Sequence, residues 1–395
     1  MRLAILGTRG IPARYGGFET FAEQLAVRLV EQGHDVTVFC ETVAEPIEQY
    51  KGVSLRYVPA PNLGPFSTLV FDARCLWRAR KEFDVVYMLG YGASLVCWLP
   101  RLWGNEVWIN MDGLEWARRK WGPIARMYFR IAEGIAMWSP SRIVADASAI
   151  KASLQSRHRE VPPCDVIPYG CEIVDEGAPE EVKGLGLVPG CYYLVVCRFE
   201  PENHVKEIIE GFLLSKSSVP LVLVGDHERA NAYVKSLKEC NDGRILFTGP
   251  IYDAARIQAL RLFCRGYIHG HSVGGTNPSL LEAMGCGNTI IAHDNAFNRE
   301  VLGDSGLFFS RPDQISGAIH DIDSGLVDTA KMGNNAVERV KRYYTWEGIT
   351  DHYCRLLSLV SSGRRSEVVH CAPELSDEAS RSSSRSVPGL SLDDA

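Results

Sequence analysis

Short apolar runs alternate with longer amphipathic stretches along this 395-residue chain. In the first half, residues 2–7 (RLAILG), 35–40 (DVTVFC), 84–90 (DVVYMLG), 106–113 (EVWINMDG), 142–147 (RIVADA) and 165–170 (DVIPYG) are strand-like. Runs apolar along their whole length suit strands buried on both faces. Between the first two, GFETFAEQLAVRLVEQG sets Phe18, Phe21, Leu25 and Leu29 at a helical period, and Gly33 stops it. Strand and helix signals in alternation predict a parallel sheet with helices on both faces.

The pattern restarts in the second half with residues 191–199 (CYYLVVCRF), 220–226 (PLVLVGD), 244–250 (RILFTGP), 266–270 (GYIHG) and 288–294 (NTIIAHD). The acidic, Gly- and Pro-containing stretch EIVDEGAPEEVKGLG separates the halves and reads as a linker. The expected organisation is two doubly wound α/β domains: 1–172, a linker over 173–186, and 187–343. A C-terminal helix over 344–360 packs back on the first domain. The Ser-, Arg- and Asp-rich stretch 361–395 is expected to be disordered. Ligands of such sheets bind at the carboxyl ends of the strands, so the two domains are expected to face a common cleft.

Composition narrows the function classes. A net charge of -6 argues against a general nucleic-acid binder. The opening MRLAILGTRGIP reads as a first strand rather than a signal peptide, and no apolar stretch has the length of a membrane span. The 12 cysteines are scattered without CxxC pairs, and several (Cys40, Cys97, Cys191, Cys197) sit in apolar runs. They read as reduced core residues of a cytoplasmic protein. The segment HGH at 269–271 is the one metal-like hint and lacks partners, so no metal is expected.

Four loops hold residues suited to chemistry. The first, GTRGIPARYGGFE, is too long and its glycines are wrongly spaced for a dinucleotide fingerprint. Gly16 and Gly17 open a helix there, and their N–H groups suit an anion; the alternative is a plain turn. Asp112 ends the strand 106–113 and Glu115 follows. Asp112 is placed to accept a proton or bind hydroxyls, or else to cap the helix LEWARRKW. Arg198 ends a strand of the second half, where its guanidinium fork suits a diphosphate, or a salt bridge to Glu200 or Glu202. Lys206 follows on what reads as a solvated helix face.

The fourth loop is the most specific. After the strand GYIHG, the turn Gly274, Gly275, Thr276, Asn277 runs into Pro278, a favoured first helical residue. The turn is expected to present uncapped N–H groups and the positive helix end to a phosphate. Glu282, one turn in, is placed to accept from two ribose hydroxyls, or belongs to a charge network.

These residues carry a family likeness. SLLEAMGCG, GTRGIPARYGGFETFAEQLA, NMDGLEWARRKWG, RFEPEN and HGHSVGGTNPSLLEAM resemble the group 1, glycogen-synthase-like glycosyltransferases of GT-B fold. They are most similar to a bacterial subgroup with rhamnosyltransferases of capsule and cell-wall polysaccharide synthesis. The resemblance covers residues 1–360. It implies that Glu282 binds the nucleotide ribose and Arg198 the donor diphosphate, and that the loop of Gly16 and Gly17 approaches donor phosphate and acceptor. Gly275, Thr276 and Asn277 fall on its donor side, and Tyr15, Glu115, Arg118 and Lys120 on its acceptor side. Three positions depart from the wider family: Gly274 stands where an acid holds sugar hydroxyls, Asn203 where a Lys follows the Arg, and Asp112 where a His ends the strand. Lys206 and His269 are candidates for the missing polar contacts.

The resemblance further implies a retaining reaction without metal or cofactor, the leaving phosphate serving as base. The expected donor is dTDP-rhamnose, with UDP-hexose and GDP-mannose as alternatives. The expected acceptor is a polyprenyl-diphosphate-linked glycan. Rivals of other classes are an NAD-type oxidoreductase, for which Glu41 would be the ribose acid, and a degenerate glycan-binding protein. The segment WARRKWGPIARMYFRIA, with Arg118, Arg119 and Lys120, is basic and aromatic and is either helix packing or a surface resting on an anionic inner membrane leaflet.

Overall fold

The computed structural model describes residues 1–13, 16–64, 67–118, 121–228, 232–371 and 373. The chain divides into two compact units. The first holds Met1–Trp116, Trp121–Gly170 and Trp346–Ala372; the second is built on Cys171–Thr345, and Ala117–Lys120 group with it.

The first unit carries β1 (Arg2–Leu6), β2 (Asp35–Glu41), β3 (Gln49–Tyr50), β4 (Val53–Val58), β5 (Val85–Leu89), β6 (Glu106–Met111), β7 (Arg142–Ala145) and β8 (Cys164–Val166). Their order in the sheet is β3-β4-β2-β1-β5-β6-β7-β8, parallel except for the β3–β4 hairpin. β1 and β5 are adjacent, so the chain's direction across the sheet reverses between them. Gly7 lies at that reversal: its φ is +86°, and a Cβ there would stand 2.2 Å from the Leu89 carbonyl oxygen. Only glycine lets the two strand ends close up at this point. The helix Gly17–Glu31 buries Phe21, Ala22, Leu25, Ala26 and Leu29 against the sheet, at the spacing its sequence predicts.

The second unit carries β9 (Tyr193–Val196), β10 (Leu221–Val224), β11 (Ile245–Gly249), β12 (Gly266–His269), β13 (Ile290–His293) and β14 (Gly306–Phe309). All pair in parallel, in the order β11-β10-β9-β12-β13-β14. The reversal here lies between β9 and β12. Tyr193, Val195, Leu221, Leu223, Ile268 and Ile291 form the sheet's share of the core, covered by Ile208, Phe212 and Ile315 from helices.

Three expectations change. The polar stretch 173–186 is part of the second unit, because its few apolar residues are used: Val182 is buried on the short helix Pro179–Lys183, the Val174 N–H donates to the Gly285 carbonyl, and Glu181 pairs with Arg256 at 3.0 Å. Disorder does not begin at 361. The helix Trp346–Ser361 belongs to the first unit, where the Tyr353 and Tyr87 hydroxyls meet at 2.7 Å. Residues beyond it then lie along β8: Val166 N–H donates to the Val369 carbonyl and Cys371 N–H to the Val166 carbonyl. The buried Arg142 holds this segment by donating to the Arg365 and Glu367 carbonyls, and Asp165 accepts from the Val369 N–H. Residues 374–395 lie outside the described residues. Finally, Cys40 and Cys97 are buried, whereas Cys191 is exposed and Cys197 half-buried.

Candidate functional site

The second unit's sheet reversal gathers most of the chemistry. β9 ends at Val196 and leads through Arg198 to the 3-10 turn Pro201–Asn203 and the helix Val205–Ser215. β12 ends at His269 and leads to Gly270 and His271. The two loops are tied together. Asn203 donates from Nδ2 to the Arg198 carbonyl at 2.6 Å, and its Oδ1 lies 2.7 Å from His271 Nδ1. His204 Nδ1 lies 2.8 Å from the Gly270 carbonyl, and Ser272 N–H donates to the Glu202 carbonyl. A Cβ on Gly270 would fall 2.0 Å from the Asn203 carbonyl oxygen, so that contact requires glycine.

Asn203 therefore does structural work at the position where the resemblance places a lysine. It is buried and brackets both loops. Gly274, where the resemblance places an acid, has φ +139°, a conformation that penalises any side chain. At both positions the residue present is fixed by local structure, Asn203 by its two hydrogen bonds and Gly274 by its backbone conformation. Arg198 is exposed at the rim, and Lys206 is exposed on the first turn of its helix.

Four imidazoles line the same edge. His204 and His293 stack with centroids 4.2 Å apart, and His269 and His271 lie 6.1 Å apart. Burial pushes His269 down to about 3 and, with the neighbouring His204, His293 down to about 4. His271 is held well below its ordinary value by burial first, then by the charges of His269, Arg118 and Arg198. Burial thus keeps His269, His271 and His293 neutral at physiological pH. His269 Nε2 and Glu202 Oε2 are buried without hydrogen-bond partners among the described residues. Such atoms are costly to leave unmatched and mark a polar floor awaiting a ligand or water.

The helix Pro278–Gly285 opens here too. Its start is capped, contrary to expectation: Asn277 Oδ1 accepts from the Ser279 N–H at 2.9 Å. Gly275 and Thr276 are buried beside it. Ser279 Oγ donates to the Val196 carbonyl at 3.3 Å, which seats the helix on the end of β9. Glu282, one turn in, is half-exposed and pairs through Oε2 with Arg261 at 2.5 Å. Arg261, from the helix Ala254–Leu262, is almost fully buried and also donates to Ser279 Oγ. Burial opposes its charge most strongly, but Glu282, Tyr267, Cys286 and Cys264 together outweigh it, so its pKa lies above the ordinary value. Glu282 thus belongs to a charge network, which fixes its carboxylate. Arg261 was not singled out from the sequence; its one signal is a charge among apolar neighbours in QALRLFC.

The first unit has its own cluster. Asp112 follows β6 and is half-buried, and Asp146 follows β7 and is fully buried. Glu115 donates its N–H to the Tyr91 hydroxyl and accepts from Trp121 Nε1 at 3.0 Å. Burial, then Glu115, Glu133 and Asp112, drive the Tyr91 phenol far up. Beside Gly16 and Gly17 the loop is braced by the helix it precedes: Arg9 N–H donates to Glu19 Oε1 and Ala13 N–H to Glu23 Oε2. A Cβ on Gly16 would meet Glu19 Oε2 at 2.4 Å. Tyr15, Arg119 and Lys120 lie outside the described residues. Arg118 is buried, so it is no surface cation. Among the described residues no group of three or more His, Cys, Asp or Glu is placed to hold a metal ion.

Residues 191–323 match the family model described as "Glycosyl transferases group 1", and residues 1–172 match a domain of unknown function. No curated protein matches the sequence. Among solved structures, sucrose-phosphate synthase from Thermosynechococcus elongatus aligns with TM-score 0.77 at 18% identity, covering 92% of this chain and 99% of that one. Anabaena HepE in complex with UDP and glucose aligns with TM-score 0.74 at 18% identity, over 91% and 99% of the two chains. The alpha,alpha-trehalose 6-phosphate synthase of Burkholderia multivorans aligns at 0.68 and 12% identity, over 92% and 97%. The fold is GT-B, and the glycosyltransferase group 1 match lies within the second unit.

Proposed function

We propose that the protein transfers rhamnose from dTDP-rhamnose to a polyprenyl-diphosphate-linked glycan, with retention, at the inner face of a membrane. The observation that carries the donor side is the Arg261–Glu282 pair one turn inside a helix seated on β9. A carboxylate held by a buried guanidinium is preorganised to accept from the nucleoside's sugar hydroxyls, the single 3′-hydroxyl of dTDP or both hydroxyls of a UDP or GDP ribose. Arg198, exposed at the rim, is the cation for the diphosphate.

In the reaction the bond from the sugar's anomeric carbon to the diphosphate oxygen breaks, and the acceptor oxygen bonds that carbon on the same face. The acceptor proton passes to the leaving phosphate, so the protein's part is positioning and stabilising the departing charge. On this reading Asp112 and Glu115 serve acceptor hydroxyls. A UDP-hexose donor is the second reading, favoured by the UDP and glucose named for HepE. A thermal-shift panel with dTDP, UDP, GDP and their sugars, followed by transfer to a lipid-linked acceptor, tests both. Stabilisation by dTDP with rhamnose transfer supports the first; a response to UDP alone supports the second. Stabilisation by none of them, with no transfer, overturns both.

A further inference from the structure

The first unit has a surface with a composition unlike the rest of the molecule. Three segments pack side by side: 67–81, 94–104 and 121–138. Trp77 and Trp103 meet edge to face at 6.1 Å, and Ser94 Oγ donates to the Ala132 carbonyl at 2.6 Å. Arg101 donates to the Trp138 carbonyl at 2.9 Å, and Arg80 lies 3.7 Å over the Trp77 ring. These contacts make the segments one continuous face.

Large apolar side chains stand out from it. Ile124 is 87% exposed, Leu102 68%, Trp138 58% and Trp77 50%. Trp98, Trp103, Met127 and Ile131 are exposed as well. Beside Trp77 runs an apolar groove of about 470 Å³, lined by Leu69, Val70, Ala73, Leu95 and Val96 with Arg74 and Arg78 at its edges. A soluble monomer rarely gathers so much apolar surface in one place, and such a face marks an interaction site.

The charge on this face has one sign. Arg74, Arg78, Lys81, Arg101 and Arg130 are exposed. The three segments hold only two acids, Asp72 and Glu133, and both are buried. Glu133 is consumed by Trp116, Arg157 and His158. Arg74 and Arg78 are steadied by backbone carbonyls of Pro59 and Tyr57, which orient them without neutralising them.

From this composition we infer that the face docks on an anionic lipid bilayer, the tryptophans and aliphatic tips entering the interface, the arginines meeting lipid phosphates, and the groove receiving hydrocarbon chain. Aromatic residues favour that depth, and each cation near an anionic surface adds about 1 kcal/mol. A second copy of the chain fits poorly: a two-fold contact would set these cations against one another, and the neighbouring exposed carboxylate, Glu82, is already paired with Arg56. The inference rests on the proposed function for its lipid-linked acceptor, and it moves the docking surface. The buried Arg118 and the clasped Trp116 leave that role to the segments named here.

The test is co-sedimentation of the full chain with vesicles of phosphatidylcholine alone and of phosphatidylcholine mixed equally with phosphatidylglycerol. Binding is expected only to the mixed vesicles and should weaken with salt. Leu102→Glu with Ile124→Glu should weaken it roughly tenfold or more, and Arg74→Gln, Arg78→Gln and Lys81→Gln together roughly a hundredfold. All five positions are on the surface, and thermal melting checks that the variants fold. No binding to mixed vesicles, or equal binding by folded variants, overturns the inference. So does self-association by light scattering that Leu102→Glu abolishes, which would give the face to a second copy. Nucleoside diphosphate affinity, measured in parallel, tests the glycosyltransferase reading separately: it should be the same in every variant.

Discussion

The two units share a strand order around their reversal points and differ in what they do with charge. The first unit locks its interior charges into structure. Arg142 and Asp165 pair at 2.6 Å with both side chains fully buried, and together they hold the segment around Val369 against β8. Glu19 and Glu23 close its first loop from within. The second unit leaves charge and polarity at the sheet edge: Arg198 is exposed, Glu282 half-exposed, and the imidazoles lie beneath. The outer surfaces differ as well. Of the exposed large apolar residues among those described, 13 lie in the first unit and 5, scattered singly, in the second. A Rossmann-like sheet thus does not dictate where its polar groups are used. The loops at the reversal decide it.

The sharpest way to break this comparison is at Arg142. If the first unit's buried charges are structural, Arg142→Ala leaves Asp165 buried with its ion partner removed, which costs about 3–5 kcal/mol. Urea unfolding should show that loss, with nucleoside diphosphate affinity unchanged in the folded fraction. A stability loss under about 1 kcal/mol would mean the C-terminal segment leaves readily and the pair is not buried in solution.

Arg198 is the converse case. Arg198→Ala removes an exposed guanidinium, so stability should move by no more than about 0.5 kcal/mol. Turnover should fall roughly 10²–10³-fold, as when one preorganised donor to developing charge is lost. A variant with full turnover at saturating donor would place Arg198 outside the reaction.

How far the sequence carried this comparison depends on distance along the chain. Most strands, the helix Gly17–Glu31, and the positions of Arg198, His269 and Glu282 follow from local periodicity and turn residues. β4 is missed although VSLRYV alternates as a half-buried strand should, and β14, also missed, is only four residues long. Nothing local tells that Glu282 meets Arg261, that Asn203 brackets His271, or that Asn277 caps its own helix rather than leaving donors free. Residues 362–371 read as tail because a window average hides Val368 and Val369, whose partner strand lies some two hundred residues earlier. The burial of Arg118 is likewise a tertiary fact.

pH sharpens the contrast between the edges. His269 and His293 sit near 3 and 4 because burial disfavours their charged form, while in the unfolded chain they titrate near 6.5. Between those values the unfolded state binds protons that the folded state refuses, so stability falls as pH drops. The loss begins near pH 6.5, runs at about 1.4 kcal/mol per pH unit for each imidazole, and levels off below the folded values. Unfolding of the whole chain followed from pH 7 to pH 4 should show this slope. His293→Gln should reduce it by one proton's worth, and an unchanged slope would mean that His293 is already solvated.

The smallest expected effect decides what Glu282 is for. Replacing it by Ala would confound two roles, since Arg261 would be left buried without its carboxylate. Glu282→Gln keeps the size and one carbonyl acceptor but removes the charge. If the carboxylate binds ribose, calorimetry should show nucleoside diphosphate affinity weakened by about 1–2 kcal/mol, the range for hydrogen bonds to a charged group. Inorganic pyrophosphate, which has no ribose, should lose nothing. If the carboxylate exists only to neutralise Arg261, the outcome reverses: the melting temperature drops and affinity in the folded protein stays as it was. The half-exposure of Glu282 favours the first result, because a carboxylate that serves only a buried guanidinium gains by being buried with it. A finding that both ligands lose affinity equally would move the contact from the ribose to the diphosphate, and with it the burden from Glu282 to the loop of Arg198.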